Sequence, residues 1–486
     1  MSTEIKNLEP KSLWKNFYDL TQIPRPSKKE AKIIAFMKKF GENLGLDTVV
    51  DEVGNVIIKK PATPGMENRK TVVLQGHIDM VPQKNNDVDH DFEKDPIDAY
   101  IDGDWVTARG TTLGADNGMG VAAAMSVLES KDIAHGPIEA LFTIDEETGM
   151  TGAFGLKNDV LNGDILMNLD SEDEGELYVG CAGGTNATMT FHYKETKVDD
   201  NVAPYKLILT GLKGGHSGMD IILQRGNANK LMIRFLKKAI RELGVRLSSF
   251  DGGSLRNAIP RDAYAVITVP VENEKTLIEL VAEYQAIYKN EFSEVEPNLE
   301  FTVEKTDMPK SVIEEMVQDD LVNAVYACPN GVIRMSDTMK GMVETSTNLA
   351  KVKSENGSIT VLCLLRSSVD SAKEDLGEAI SSVFQLAGAE VVLDGEYPGW
   401  KPNMDSPILK EMKSIYNNLY GKVPEIKAIH AGLECGLLGG VYPNLDMISF
   451  GPTIRFPHSP DEKVNIETVE KFWNFLVETL KEVPEK

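Results

Sequence analysis

Cysteine is scarce in this 486-residue sequence: Cys181, Cys328, Cys363 and Cys435 are scattered and no two form a C-x-x-C pair. That excludes a disulfide framework and a thiolate metal site, and leaves reduced, partly buried thiols. Long apolar runs are missing too. No stretch approaches the roughly 20 apolar residues of a membrane span, and the opening MSTEIKNLEPKSLWKNFYDL has no apolar core of a secretory leader. Basic residues are in deficit, with 51 Lys and Arg against 75 Asp and Glu and a net charge of −24. Such a surface repels phosphate backbones and anionic membranes, so no nucleic acid and no membrane is expected as a partner. The expectation is a cytoplasmic chain whose charge suits solubility and cation binding.

What is present is the composition of a soluble globular protein, 42% hydrophobic and 26% charged. The length exceeds one ordinary core and points to two domains, or to one domain with an insertion. Residues 9–45 carry helical periodicity, with Leu13, Phe17 and Leu20 and then Ile33, Phe36, Met37 and Phe40 on spaced faces. The runs NVIIKK, KTVVLQGHIDM and IEALFTIDEE then read as strands, separated by the small-residue run GADNGMGVAAAMSVLES, a turn feeding a helix. Apolar strands alternating with helices indicate a mostly parallel sheet covered on both faces, an α/β domain. Near Gly183 the texture changes. DAYAVITVPVENEKTLIELVAEY and SITVLCLLRSSVDSAKEDLGEAI each give an apolar strand, a polar turn and an amphipathic helix, which reads as two related α+β lobes. After PGWKPN the α/β pattern returns. The predicted organisation is an α/β domain of residues 1–183 and 397–486, interrupted by an insertion over 184–396.

The chemistry-bearing residues cluster at strand ends. In VVLQGHIDM, His77 and Asp79 are two apart and share a face of the strand. A metal-bound imidazole needs an acceptor for its other nitrogen, and an aspartate is a common one. Asp116, between glycines in TLGADNGMG, reads either as a helix N-cap or as an unshielded carboxylate. Glu146 and Glu147 end ALFTIDEETGM, and Asp170 ends ILMNLDSED. Ligands of open α/β sheets bind at the carboxyl ends of strands, so these groups should meet in one crevice. Acids gathered there with a histidine need cations, and imidazole with carboxylate suits zinc, manganese or cobalt better than calcium. His458 in GPTIRFPHSPDEKV is a histidine that would close the set.

The order H-x-D, G-A-D-N-G, D-E-E, N-L-D-S-E and P-H-S-P-D-E resembles that of the M20 family of dinuclear zinc peptidases, over essentially the whole chain. The resemblance implies a phosphorylase/hydrolase-like catalytic domain with an inserted α+β lid, and two zinc ions per subunit for which cobalt or manganese substitutes. It implies that Asp116 bridges the metals, with His77 and Asp170 on one and Glu147 and His458 on the other. Asp79 would orient His77, the Asp116–Asn117 peptide bond would be cis, and Glu146 would be the general base for the attacking water. In the lid, the resemblance makes His216 of LKGGHSGMD an oxyanion donor, Asn257 a substrate contact and Arg366 the binder of the substrate carboxylate. His430 and Glu434 of AIHAGLECG would sit near the substrate and the metals. The implied partner is a small dipeptide, and the implied assembly a homodimer.

The family reading extends to dipeptides with a C-terminal histidine, β-alanyl-histidine among them. Other activities stay open on the same residues: a broader dipeptidase, a tripeptidase or an N-acyl-amino-acid deacylase. A non-catalytic metal-dependent binder is the reading from another class, and it leaves Glu146 without a purpose.

Overall fold

A computed structural model describes residues 3–486, and by its internal contacts the chain divides into two units. One takes the chain through Gly180 together with Pro402–Ala428 and Leu433–Lys486; the other takes Cys181–Lys401 and Ile429–Gly432.

The first unit is built on an eight-stranded sheet. Its order is Asp47–Val50, Val56–Lys60, Ile138–Thr143, Val72–His77, Ile165–Asn168, Asp446–Ser449, Glu176–Cys181 and Glu425–Ile429. The four central strands are mutually parallel, and antiparallel strands flank them. Val72–His77, Ile138–Thr143 and Ile165–Asn168 are buried at every position, as strands covered on both faces must be. The parallel register puts His77 beside Thr143 and Gln75 beside Asn168. Chain leaving these strands therefore emerges at one edge of the sheet, and it carries Asp79, Glu146, Glu147 and Asp170. Helix Ala115–Glu129 lies against the same strands and is buried nearly throughout, which explains its small, apolar, weakly amphipathic sequence. Gly120 allows the close approach: a Cβ there would lie 2.3 Å from the Leu169 carbonyl oxygen.

The second unit holds a nine-stranded antiparallel sheet. Eight of its strands run in the order Glu300–Lys305, Val202–Thr210, Ala263–Pro270, Arg246–Gly252, Val343–Glu355, Ser358–Ser367, Gly183–His192 and Glu390–Tyr397, with Gly331–Met335 paired to Val343–Glu355. The two related lobes are the two halves of this sheet, joined where Asp251 and Gly252 pair with Lys353 and Val352. Val202–Thr210 alternates buried with half-buried positions, the mark of a strand with one covered face. Helix Ala228–Leu243 covers that face. Asn227 caps its N-terminus by accepting from the Lys230 N–H, Gly244 ends it in the left-handed conformation, and Leu231, Met232, Phe235, Leu236 and Leu243 fill the core. No helix among the described residues is long and apolar enough to cross a membrane.

Candidate active site

His77 is the last residue of its strand and is almost fully buried. Its Nε2 lies 3.1 Å from Asp116 Oδ1 and 3.4 Å from Asp170 Oδ1, and its Nδ1 lies 3.3 Å from Asp79 Oδ1. His458 Nε2 lies 3.2 Å from Asp116 Oδ2 and 2.9 Å from Glu147 Oε2. The two oxygens of Asp116 thus face different histidines. His77, Asp116 and Asp170 bring ligand atoms within 4.8 Å of one another, and so do Asp116, Glu147 and His458. A third grouping of this size sets Glu146 beside His77 and Glu147. Two nitrogens and several carboxylate oxygens so placed are donors of the kind that can hold divalent cations. Asp170 Oδ1 and Glu147 Oε1 are buried without a hydrogen-bond partner among the described residues, so a cation fits where these oxygens lack one.

The local fold explains the convergence. Asp79 Oδ1 accepts from the Glu146 N–H (3.1 Å) and Oδ2 from the Glu147 N–H (3.3 Å), so the residue beside His77 also fixes the turn that carries the glutamate pair. Asp145 enters that turn in the left-handed conformation. Asp116 and Asn117 depart from helical geometry at the start of their helix, and the bond between them is cis, as the resemblance implied.

Proton affinities follow the crowding. Burial works to raise Asp116, but hydrogen bonds from His458 and His77 bring it below the usual carboxylate range. Burial pushes Asp170 up to about 7 and Glu146 well above its ordinary value. Hydrogen bonds that His458 donates to Asp116 and Glu147 raise it to about 11. Without cations this cluster holds protons that cations must displace.

The second unit gathers the lid residues. His216 lies on the two-residue strand Gly215–His216, paired with Ala258–Ile259. Its Nδ1 accepts from the N–H groups of Gly218 (3.2 Å) and Met219 (3.1 Å). Arg366 is buried, donates to Ser217 Oγ (3.4 Å) and Tyr397 OH (3.2 Å), and has no carboxylate partner among the described residues. His430 is buried and shares a 2.7 Å hydrogen bond with Ser346 Oγ. Burial, then Arg366 and His216, hold it down to about 3, so this imidazole is neutral. Asn257 is exposed, and its carbonyl accepts from the Ser217 N–H (2.8 Å), which ties its backbone to the His216 loop.

Three buried groups of the first unit escaped sequence reasoning. Glu462 accepts from the N–H groups of Leu113, Gly114, Ala115 and Asp116 at 2.7–3.2 Å, holding the loop that presents Asp116. It stands in the sequence as the closing glutamate of P-H-S-P-D-E, four residues after His458, with no role read for it. Arg25 donates to the carbonyls of Ile78, Asp79 and Gly114 and sets a cation behind the acids. Gln75, inside a strand that reads as an apolar run, joins Thr143, Asn168 and Glu434 in a buried polar chain. Glu434 is raised to about 7 by burial.

Residues 73–482 match the model of peptidase family M20/M25/M40. The chain belongs to this family. It is 49% identical over 484 residues, covering 100% of each chain, to the cytosol non-specific dipeptidase of Escherichia coli K12. The crystal structure of aminoacylhistidine dipeptidase from Vibrio alginolyticus superposes with a TM-score of 0.95 and 52% identity, covering 100% of this chain and 99% of that one. A Staphylococcus aureus tripeptidase, at 16% identity and a TM-score of 0.57 over 98% and 99% of the two chains, shares the fold. This M20 peptidase is accordingly a metal-dependent peptide-bond hydrolase with a catalytic α/β unit and an α+β lid.

Proposed function

We propose that this M20 peptidase is a cytoplasmic, homodimeric dizinc dipeptidase that releases histidine from Xaa-His dipeptides, β-alanyl-histidine among them. The observation that carries the dipeptide assignment is Arg366, a buried guanidinium without a carboxylate partner among the described residues. A buried cation needs an anion, and its planar fork matches the free carboxylate of a short peptide. Histidine preference is supported by the full-length likeness to the Vibrio protein, whose name states that preference.

His77, Asp116 and Asp170 would hold one ion, and Asp116, Glu147 and His458 the other. Bound there, the ions supply a lowered pKa for water and polarisation of the scissile carbonyl. Asp79 keeps His77 oriented and, through its contacts with both backbone N–H groups, sets Glu146 and Glu147 in place. Glu146 takes the proton of the attacking water and returns it to the leaving amine. Its raised proton affinity suits a group that must hold a proton between the two steps. His216 donates to the carbonyl oxygen as charge builds on it. Arg366 fixes the carboxylate, with Asn257 and His430 as further substrate contacts.

A broad dipeptidase is the second reading, favoured by the name of the Escherichia coli relative. The deciding experiment loads the protein with zinc, manganese or cobalt and compares β-alanyl-histidine with alanyl-alanine, a tripeptide and an N-acetyl amino acid. Preference for the histidine dipeptides is expected; equal turnover of alanyl-alanine would leave the mechanism and remove the specificity. In the same assay Glu146→Gln should keep its metal and lose about 10²–10⁴-fold in turnover. An active Glu146→Gln enzyme would refute the base assignment.

A further inference from the structure

The loop that carries His216 is folded around an ion pair with no catalytic group in it. Asp220 Oδ2 accepts from the His216 N–H (2.8 Å), and the Asp220 N–H donates back to the His216 carbonyl (2.9 Å). Asp220 Oδ1 lies 3.3 Å from Arg225 Nη2, and Arg225 Nη1 donates to the Gly214 carbonyl. The pair therefore grips the chain on both sides of His216. Gly215 makes the grip sterically feasible: its φ is +135°, and a Cβ would meet Arg225 Nη1 at 2.4 Å and Asp220 Oδ2 at 2.6 Å. Both side chains are largely buried, at 21% and 29% exposure, so solvent screens the pair less than an exposed one.

The same turn decides the chemistry of the ring. The N–H groups of Gly218 and Met219 lie inside the turn that Asp220 closes, and both point at His216 Nδ1. A nitrogen that accepts two N–H groups carries a lone pair, so the proton of the neutral imidazole resides on Nε2. The opposite tautomer would set a ring N–H against two backbone N–H groups.

We propose that Asp220 and Arg225 are positioning residues which close the 214–225 loop and so hold His216 as an Nε2–H donor. Their effect on catalysis rests on the reading of His216 as the donor to the substrate carbonyl oxygen. Neither residue touches substrate in this scheme.

The test uses the full metal-loaded chain with Asp220→Ala, Arg225→Ala, Asp220→Asn and, as reference, His216→Ala. The readouts are kcat and KM on β-alanyl-histidine, metal content, thermal midpoint, and ¹⁵N–¹H correlations of labelled imidazoles, with the His216 signals identified by their loss in His216→Ala. For Asp220→Ala and Arg225→Ala the expectation is a kcat lower by about 10- to 100-fold, the loss typical of a displaced or misaimed donor. KM should change by less than about 3-fold, metal content should stay constant, and the ring should change from the Nε2–H pattern to mixed tautomers. Asp220→Asn keeps an acceptor for the His216 N–H and should retain more activity and more Nε2–H character; it carries the test if Asp220→Ala does not fold. An unchanged Nε2–H pattern in Asp220→Ala and Arg225→Ala overturns the proposal, whatever the rates do. Full turnover by His216→Ala would instead refute the donor role of His216, and the tautomer measurement would still decide the positioning.

Discussion

At the scale of single residues, the two units treat histidine in opposite ways. His77 and His458 face carboxylates that favour their protonated or cation-bound forms, whereas burial first and then the Arg366 guanidinium lower the proton affinity of His216 and His430. His430 gives this a thermodynamic signature. Its folded pKa of about 3 lies below the roughly 6.5 of an unfolded histidine, so between those values the unfolded chain takes a proton that the folded chain refuses. The stability is fully present above pH 6.5 and is lost as pH falls; by pH 5 the loss is about 2 kcal/mol. His430→Gln should therefore show an acid sensitivity about 2 kcal/mol smaller between pH 7.5 and 5, read by hydrogen exchange in the strand Val343–Glu355. Equal sensitivity would mean that His430 is charged in the folded protein. The strand-end His and acids were legible because a carboxylate that closes a buried apolar strand contributes nothing to packing and is costly to desolvate unless a cation or donor meets it. Glu462 and Arg25 were not, because their partners are backbone groups remote in sequence, as Glu462 and Leu113 are, and no local pattern encodes such a contact.

At the scale of elements, position depends on how closely helix Ala115–Glu129 approaches its sheet. Gly120 meets the Leu169 carbonyl, one residue before Asp170, while Asp116 is the second residue of the same helix. Gly120→Ala would push these two carboxylates apart. The expected outcome is roughly 1–3 kcal/mol of destabilisation from overpacking together with a lower metal content, measured by thermal unfolding and elemental analysis. A variant that is less stable but fully metallated would show that the helix shifts along the sheet and not away from it. Strands and helices were largely legible from their periods: the alternation in Val202–Thr210 and the amphipathic face of Ala228–Leu243 stand in the sequence as they do in the fold. The single sheet shared by the two lobes was not legible. Its seam is two residue pairs at Asp251 and Gly252, too short to leave a sequence pattern.

At the scale of the whole molecule, a net charge of −24 is sharpened by acids packed into one place. Cations that bind the folded cluster stabilise the fold by mass action, by about 4 kcal/mol when free metal is 1,000 times its Kd. Chelation should lower the thermal midpoint. Hydrogen exchange should rise in residues 113–118, 144–150 and 168–172, while the strands Val202–Thr210 and Ala263–Pro270 keep their rates. Uniform loss of protection across both sheets would show that the cations support the entire chain and not one unit. The α/β class was legible at this scale because strands and helices alternate before and after the insertion. The central place of Asp446–Ser449 was not, since strand order is set by packing among segments far apart in the chain.

That strand order has a consequence in time. His77, Asp116 and Asp170 are all synthesised before the insertion begins, but Asp446–Ser449, which pairs with Ile165–Asn168, and His458 come only after it. From Asp170 to His458 is 458 − 170 = 288 residues, about 15 to 60 s of translation at 5–20 residues per second. A nascent chain on the ribosome therefore owns one complete cation triad while the edge of Ile165–Asn168 still lacks its Asp446–Ser449 neighbour, and such an edge is where chains aggregate. The second triad is completed only by His458, after Asp446–Ser449 has been made. Its closure marks a chain whose last central strand has been made.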